Sequence, residues 1–407
     1  MSTDADRAAE LRNAMVDDIA ADHEAKELTL RPEVEAALRT VPRHLFTPGV
    51  SMEEAYAATS SIITKQLPSG ESISSVSAPY LIAEMLGQAA DALDGLEGRH
   101  VLEIGSGGYN ASLLAELVGK TGSVTTVDID PEVTARATAC LKDAGYDDVV
   151  AVVCADAEQV IEPARQYDLI IVTAGAWDIP PAWREQLTEG GVLVVPLRTF
   201  GTTRSWALHR RGDRLVSHSH RQCGFVPVQG AGAHPTRYLD VADGVYLRLD
   251  EGERIDPDAV KGVLSQPRRE AWAGLSLPPM TALHDLSMWH ATRLREHAVV
   301  LTAEEKAIAS GLVAPSWPYG TSATWHNGTL AYRTIRWTDR RFDLGAYAHG
   351  PDAQAAAERM VEDMRAWAEA GCPTPALEVF PIDTPDSDLP DGAVLDKRHS
   401  RLVVSFR

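Results

Sequence analysis

From Val101 onward the hydrophobic positions fall into two alternating rhythms. Short, nearly unbroken apolar runs stand at 101–105 (VLEIG), 124–128 (VTTVD), 149–154 (VVAVVC), 167–172 (YDLIIV) and 192–197 (VLVVPL). Between them lie segments with apolar residues three and four apart, from Tyr109 and over PEVTARATACLKDAG and PPAWREQL. Runs that are apolar on both faces suit strands buried on both sides, and the spaced segments suit amphipathic helices, so the pattern predicts a parallel sheet covered by helices on both faces. WALHRR and RLVSHSHRQCGFVPV would close that sheet as an antiparallel edge. The first hundred residues read as helical, with LRNAMVDDIA and PEVEAALRTV carrying the helical spacing.

The rhythm changes after Gly230, where QGAGAHPTR dilutes it with glycine, proline and polar residues. Beyond that point YLDVADGVYLRL reads as a strand pair, DPDAVKGVLS as a short helix, and HNG at 326–328 as a hairpin turn. A helix opens at Pro351, carries Met360, Met364 and Trp367 on one face and stops at Gly371. ALEVFPI and RLVVSF read as closing strands. The expected architecture is α/β over residues 1–235, a helical segment followed by the sheet, with a smaller α+β domain over residues 236–407.

Composition removes several function classes. A chain of 407 residues has room for two cores. Its net charge of −20 opposes binding to a phosphate backbone, so nucleic acid is not an expected partner. No apolar run reaches the ~18 residues of a membrane span, and the polar, acidic start MSTDADRAAELRNAM is not a secretion signal. Cys140, Cys154, Cys223 and Cys372 are scattered without a CxxC pair, which gives neither a zinc frame nor a disulfide framework and points to a reducing cytoplasm. The HSH at 218–220 puts two histidines on one strand face without a third ligand, so no metal is expected.

The chemistry concentrates at GSGGYN, which follows the first strand. Gly105, Gly107 and Gly108 allow a sharp turn and close approach of a ligand to the backbone, and the helix behind them offers free amide groups. Glu103 is an acid within the apolar strand end, and Asp128 lies 128 − 105 = 23 residues past the first glycine, near the spacing at which a carboxylate reaches ribose hydroxyls. Asn110 replaces the last glycine of GxGxxG and no GK[ST] is nearby, which argues against a dinucleotide or triphosphate site. Upstream, Ser77, Ala78 and Pro79 open an apolar helix. The plain reading is an N-cap serine, although a capping hydroxyl still has its own proton to donate to a carboxylate.

Taken in order, VPRHLF (41–46), SAPYLIAEML (77–86), VLEIGSGGYNASLLA (101–115), VTTVDID (124–130), the acid in CADA (154–157), the stretch from Tyr167 to Leu197 and GFVPVQG (224–230) resemble protein-L-isoaspartate O-methyltransferases. The resemblance covers roughly the first 230 residues. It implies a class I S-adenosylmethionine-dependent methyltransferase sheet of Rossmann-like form. By the same resemblance the methionine part of the cofactor falls at Gly105, Ser106 and Gly107, the ribose at Asp128 and the adenine at Asp156 and Ala157, with Tyr109 and Ile129 also counted as cofactor-binding. Thr173 would lie near cofactor and substrate, and Ser77 matches the active-site serine. The competing readings are strand-ending acids in solvent for Asp128 and Asp156 and a local turn for Thr173.

Two features depart from the family. GSGGYN is one residue shorter than GTGSGYQ or GSGSGY, and GESISSV is longer than GQTIS where a substrate backbone would pass. The added C-terminal half, with an ending like DKRHSRLVVSF, resembles an actinobacterial branch that works in peptide natural-product pathways. That likeness implies methylation of an aspartate in a macrocyclised precursor peptide of the lanthipeptide or graspetide kind, the ester then closing to a succinimide that persists or opens to isoaspartate. Repair of isoaspartate in damaged proteins and a non-catalytic peptide-binding role remain the alternatives. An acidic chain that receives an acidic residue needs positive charge at the site, for which Arg43, His44 and Lys65 are candidates, against the reading of solvated surface charges.

Overall fold

The computed structural model describes residues 4–68, 70–105, 107–250, 254–294 and 298–407. Three helices come first, α1 (Asp4–Ala25), α2 (Pro32–Thr40) and the short α3 (Met52–Ala55). The expectation of an all-helical start fails at the next step, where β1 (Ile62–Gln66) and β2 (Ser72–Val76) pair antiparallel as a separate hairpin. Their five-residue alternations, IITKQ and SISSV, are short and mostly half-buried, which leaves little hydrophobic signal.

The sheet then builds through α4 (Pro79–Leu93), β3 (His100–Ile104), α5 (Tyr109–Val118), β4 (Ser123–Asp128), α6 (Pro131–Ala144), β5 (Val150–Cys154), β6 (Tyr167–Val172), α7 (Pro181–Glu185), β7 (Leu187–Thr199), β8 (Thr202–Arg211) and β9 (Arg214–Gln222). Strands β5, β4, β3, β6 and β7 are neighbours in that order and parallel, and β8 and β9 follow antiparallel, as the apolar runs predict. Alternate residues of each strand feed two cores. Val101, Leu169, Ile171 and Val192 pack against Met15, Leu38, Leu86 and Leu113 of the helices, while Leu102, Ile170, Val172 and Leu193 pack with Trp183 and Trp206 on the other face.

The second unit contains β10 (Arg237–Ala242), β11 (Val245–Leu249), α8 (Pro257–Val260), β12 (Arg269–Trp272), α9 (Leu283–Arg293), β13 (Ala298–Ala303), α10 (Glu305–Ala309), β14 (Thr321–His326), β15 (Thr329–Thr338), β16 (Arg341–His349) and α11 (Ala353–Glu369). Its strands form a seven-stranded antiparallel sheet, β10-β11-β13-β14-β15-β16-β12. The HNG turn joins β14 to β15 with Asn327 and Gly328 both at positive φ, 47° and 71°, as a tight hairpin requires. Met360, Met364 and Trp367 of α11 are buried, as their spacing predicts.

The chain does not end in this unit, so the expected 236–407 domain is redrawn. β17 (Pro375–Pro381), β18 (Ala393–Asp396) and β19 (Ser400–Phe406) return to the first sheet, where β17 pairs with β9 and the full order becomes β18-β19-β17-β9-β8-β7-β6-β3-β4-β5. β9 is therefore not the edge. Leu377, Val379, Leu402 and Val404 complete the core around Trp206 and Leu208, which strands β1–β9 alone would leave open. Met288 of α9 joins the same core, and buried Arg204 of β8 meets Asp285 of α9 at 2.7 Å, so the two units are bound through packed side chains and a buried ion pair.

Candidate active site

The sheet's parallel strands end at one edge, and the turns leaving β3, β4, β5 and β6 line a cleft. That place is where α/β sheets bind ligands. Gly105, Gly107, Asp128, Ile129, Asp156, Ala157 and Thr173 all line it, which brings together seven of the positions singled out in the sequence. Ser106 lies outside the described residues.

Each lining group has a local reason for its position. Gly105 has φ +102°, and a Cβ there would stand 2.5 Å from Thr173 Oγ1, so only glycine fits. The Thr173 hydroxyl donates to the carbonyls of Gly105 (2.9 Å) and Ile104 (3.2 Å), tying the end of β6 to the turn after β3. Beneath the turn, buried Glu103 accepts from Asn110 Nδ2 (2.9 Å) and Thr126 Oγ1 (2.5 Å). Burial outweighs those two bonds and lifts its carboxyl to about 7. Asp128 ends β4 and receives the amide of Asp130 on Oδ1 (2.9 Å), while Asp156 receives the amides of Glu158 (3.0 Å) and Ala231 (3.1 Å).

Tyr109 is a correction to the cofactor-binding expectation. Its ring is wholly buried against Phe46 and beneath the Arg43 guanidinium, 4.8 Å from the ring centre, and it does not line the cleft. The first residue of α5 points into the core, so a tyrosine there packs against the N-terminal helices. Ser77 is not the helix cap: Ala78 holds that position and no side chain caps the helix. Ser77 is partly buried and follows a segment that reaches the glycine turn, since a Cβ on Gly107 would lie 3.8 Å from Val76 Cγ2 and 4.0 Å from the Ser75 carbonyl. Ser77 does not line the cleft, whereas Ser75, two residues before it, does.

The three candidate cations are otherwise employed. Arg43 is fully buried, donates to the carbonyls of Ala55 (2.7 Å) and Val76 (3.5 Å), and burial lowers its pKa to about 10. Lys65 binds Asp130 (2.6 Å) and Glu132 (2.7 Å), and His44 Nδ1 meets Tyr56 Oη at 2.7 Å. In the HSH segment His220 is half-buried beside Arg204 and Trp206, its pKa lowered by desolvation to about 3. Among the described residues no cluster of three or more histidine, cysteine, aspartate or glutamate side chains could hold a metal ion. No helix among them is long and apolar enough to cross a membrane.

Other cleft residues escaped the sequence reading. Ile73, Ser74 and Ser75 of β2 form one wall, and Val226 to Gln229 roof the cleft. Gly230 closes over the far end, where a Cβ would strike Ile129 Cδ1 at 2.5 Å and Asp156 Oδ2 at 2.7 Å. Trp183 forms the floor with its Nε1 on the Ala157 carbonyl at 2.8 Å. The period-two SISSV was the available signal for the β2 wall. On the other side of Pro227, Val228 and Gln229 opens a second cavity of about 700 Å³, lined among others by Glu71, Trp177, Arg198, His234 and Tyr238.

A five-stranded parallel core with a glycine turn after its central strand and an acid ending the next strand defines a class I S-adenosylmethionine-dependent methyltransferase. The family model for protein-L-isoaspartate(D-aspartate) O-methyltransferase matches residues 14–233, and the chain belongs to that family, whose members are S-adenosylmethionine-dependent carboxyl O-methyltransferases. Protein-L-isoaspartate O-methyltransferase 2 of Archaeoglobus fulgidus is 39% identical over 218 residues, 52% of this chain and 93% of that protein. The Methanopyrus kandleri protein-L-isoaspartate O-methyltransferase is 37% identical over 199 residues, 48% of this chain and 83% of its own. A solved protein-L-isoaspartate O-methyltransferase aligns over 90% of this chain and 96% of its own at 18% identity and TM-score 0.49.

Proposed function

We propose that the chain transfers a methyl group to the side-chain carboxylate of an aspartate in a constrained, macrocyclised peptide of ribosomal origin. The observation that carries this reading is the second cavity. It adjoins the cofactor cleft across Pro227–Gln229, and His234, Pro235, Thr236 and Tyr238 of its wall lie beyond the 14–233 family match. A wall built partly by residues beyond the family match supports this reading, as expected when a different peptide must be held.

S-adenosylmethionine supplies an electrophilic methyl on a sulfonium. In this reading Gly105 and Gly107 lie against its methionine part, Asp128 and Ile129 against the ribose, and Asp156, Ala157 and Trp183 against the adenine. The fit rests on the glycine that no Cβ could replace and on the closed end under Gly230. An aspartate with pKa ~3.9 is already ionised at neutral pH, so the acceptor needs no strong base. Alignment is what the protein must provide: the attacking oxygen and the methyl held at ~3–3.5 Å in line. Ser77 donates a hydrogen bond that orients the carboxylate. Once esterified, the carbonyl is open to the next residue's amide nitrogen, which closes a five-membered imide and releases methanol.

Repair of isoaspartate is the second reading, favoured by a match that takes in 93% of a repair-enzyme relative within the first part of this chain. Comparing kcat/KM for a synthetic macrocyclic aspartyl peptide and a linear isoaspartyl peptide separates the two. Faster transfer to the macrocycle, with mass gain of one CH₂, is expected. Turnover of the linear isoaspartyl peptide with none on the macrocycle would make the chain a repair enzyme.

A further inference from the structure

We infer that Lys397, on the return hairpin between β18 and β19, is a positioning residue that sets the acceptor cavity for its peptide; the inference rests on the proposed role of that cavity. Lys397 is only 6% exposed. Its Nζ donates to the carbonyls of Trp177 and Arg198, 2.6 Å each, and lies 4.7 Å from the centre of the Trp177 ring. Burying an ammonium is costly unless it is well bonded, so these contacts hold their partners firmly. Trp177 in turn stacks on His234 at 3.9 Å and 5° between planes. Trp177, Arg198 and His234 all line the acceptor cavity and none lines the cofactor cleft.

The neighbours of Lys397 work in the same direction. Asp178, next to Trp177, accepts the His399 amide at 2.6 Å and the Ser400 hydroxyl. Arg398 holds the Ala231 carbonyl at 2.6 Å, and His399 Nε2 stands 3.0 Å from Glu158. Four consecutive residues from the end of the chain therefore pin the segments around 158, 177–178, 198 and 231. These residues lie outside the family match, so the last hairpin gives this chain a way to shape its acceptor side that the shared core lacks.

The test is Lys397→Met in the full chain, which keeps the apolar stem and removes the two carbonyl bonds. A roughly tenfold rise in the macrocyclic peptide's KM is expected, the effect of losing an anchor worth about one charged hydrogen bond, with the dissociation constant of S-adenosylhomocysteine unchanged. Lys397→Gln, which keeps an uncharged amide donor, should fall between, and gives the same readout if the methionine variant does not fold. An unchanged peptide KM in a wild-type-like fold would overturn the inference alone, as would an equal loss of S-adenosylhomocysteine affinity. A wild-type chain that methylates neither peptide would overturn both the inference and the functional reading.

Discussion

Glu103 offers a quantitative test of the ground beneath the glycine turn. Its carboxyl moves from 4.5 to about 7 because complete burial penalises the charged form more than the Asn110 and Thr126 bonds favour it, and Asp128 adds repulsion. An acid with a raised folded-state pKa binds more protons folded than unfolded, so its contribution to stability is largest below 4.5 and falls as pH rises to about 7. At ~1.36 kcal/mol per pK unit, the interval amounts to roughly 3 kcal/mol. Glu103→Gln keeps the shape, accepting from Asn110 and donating to Thr126 Oγ1, and removes the ionisation. Urea unfolding of both proteins from pH 4 to 8 should show the stability difference moving in the variant's favour by about 3 kcal/mol across that interval. A difference that stays flat with pH would mean that the carboxyl is not desolvated, and the packed support of the turn would have to be abandoned.

Three further outcomes follow from the same geometry. Gly105→Ala forces a Cβ to 2.5 Å from Thr173 Oγ1 at φ +102°, and calorimetry should show S-adenosylhomocysteine binding weakened by roughly tenfold or more; unchanged affinity would contradict the cradle. Ser77→Ala should slow methyl transfer about tenfold, the worth of one hydrogen bond, while cofactor affinity stays constant. Asp285→Ala strands the buried Arg204 guanidinium and should lower unfolding free energy by about 3–5 kcal/mol in a urea titration, whereas a loss under 1 kcal/mol would show that the pair does not join the units.

The parallel sheet was readable in the sequence because its inner strands β3, β4, β6 and β7 are largely buried on both faces, which writes a nearly continuous apolar run in each. The cleft-lining acids were readable for a related reason: Asp128 and Asp156 stand where those runs stop, at the strand edge that the topology turns into a cleft. What periodicity cannot convey is which strand a distant segment joins. ALEVFPI and RLVVSF read as strands, yet nothing in their own pattern distinguishes a place in the second sheet from one beside β9, some 160 residues back. The same limit concealed the second cavity's surroundings, where Lys397 meets Trp177 and Arg198 across 220 and 199 residues. Tyr109 misled because a residue next to a ligand-binding turn can face either the ligand or the core, and Phe46 and Arg43 take it into the core.

The most direct measurement of the central claim is a crystal structure of the chain with S-adenosylhomocysteine. The expected result has the ribose on Asp128 and Ile129, the adenine under Gly230 beside Asp156 and Trp183, and the sulfur facing the Ser77 hydroxyl and the passage toward Trp177. A sulfur directed away from Ser77, or a ligand seated outside the turn at Gly105, would contradict it.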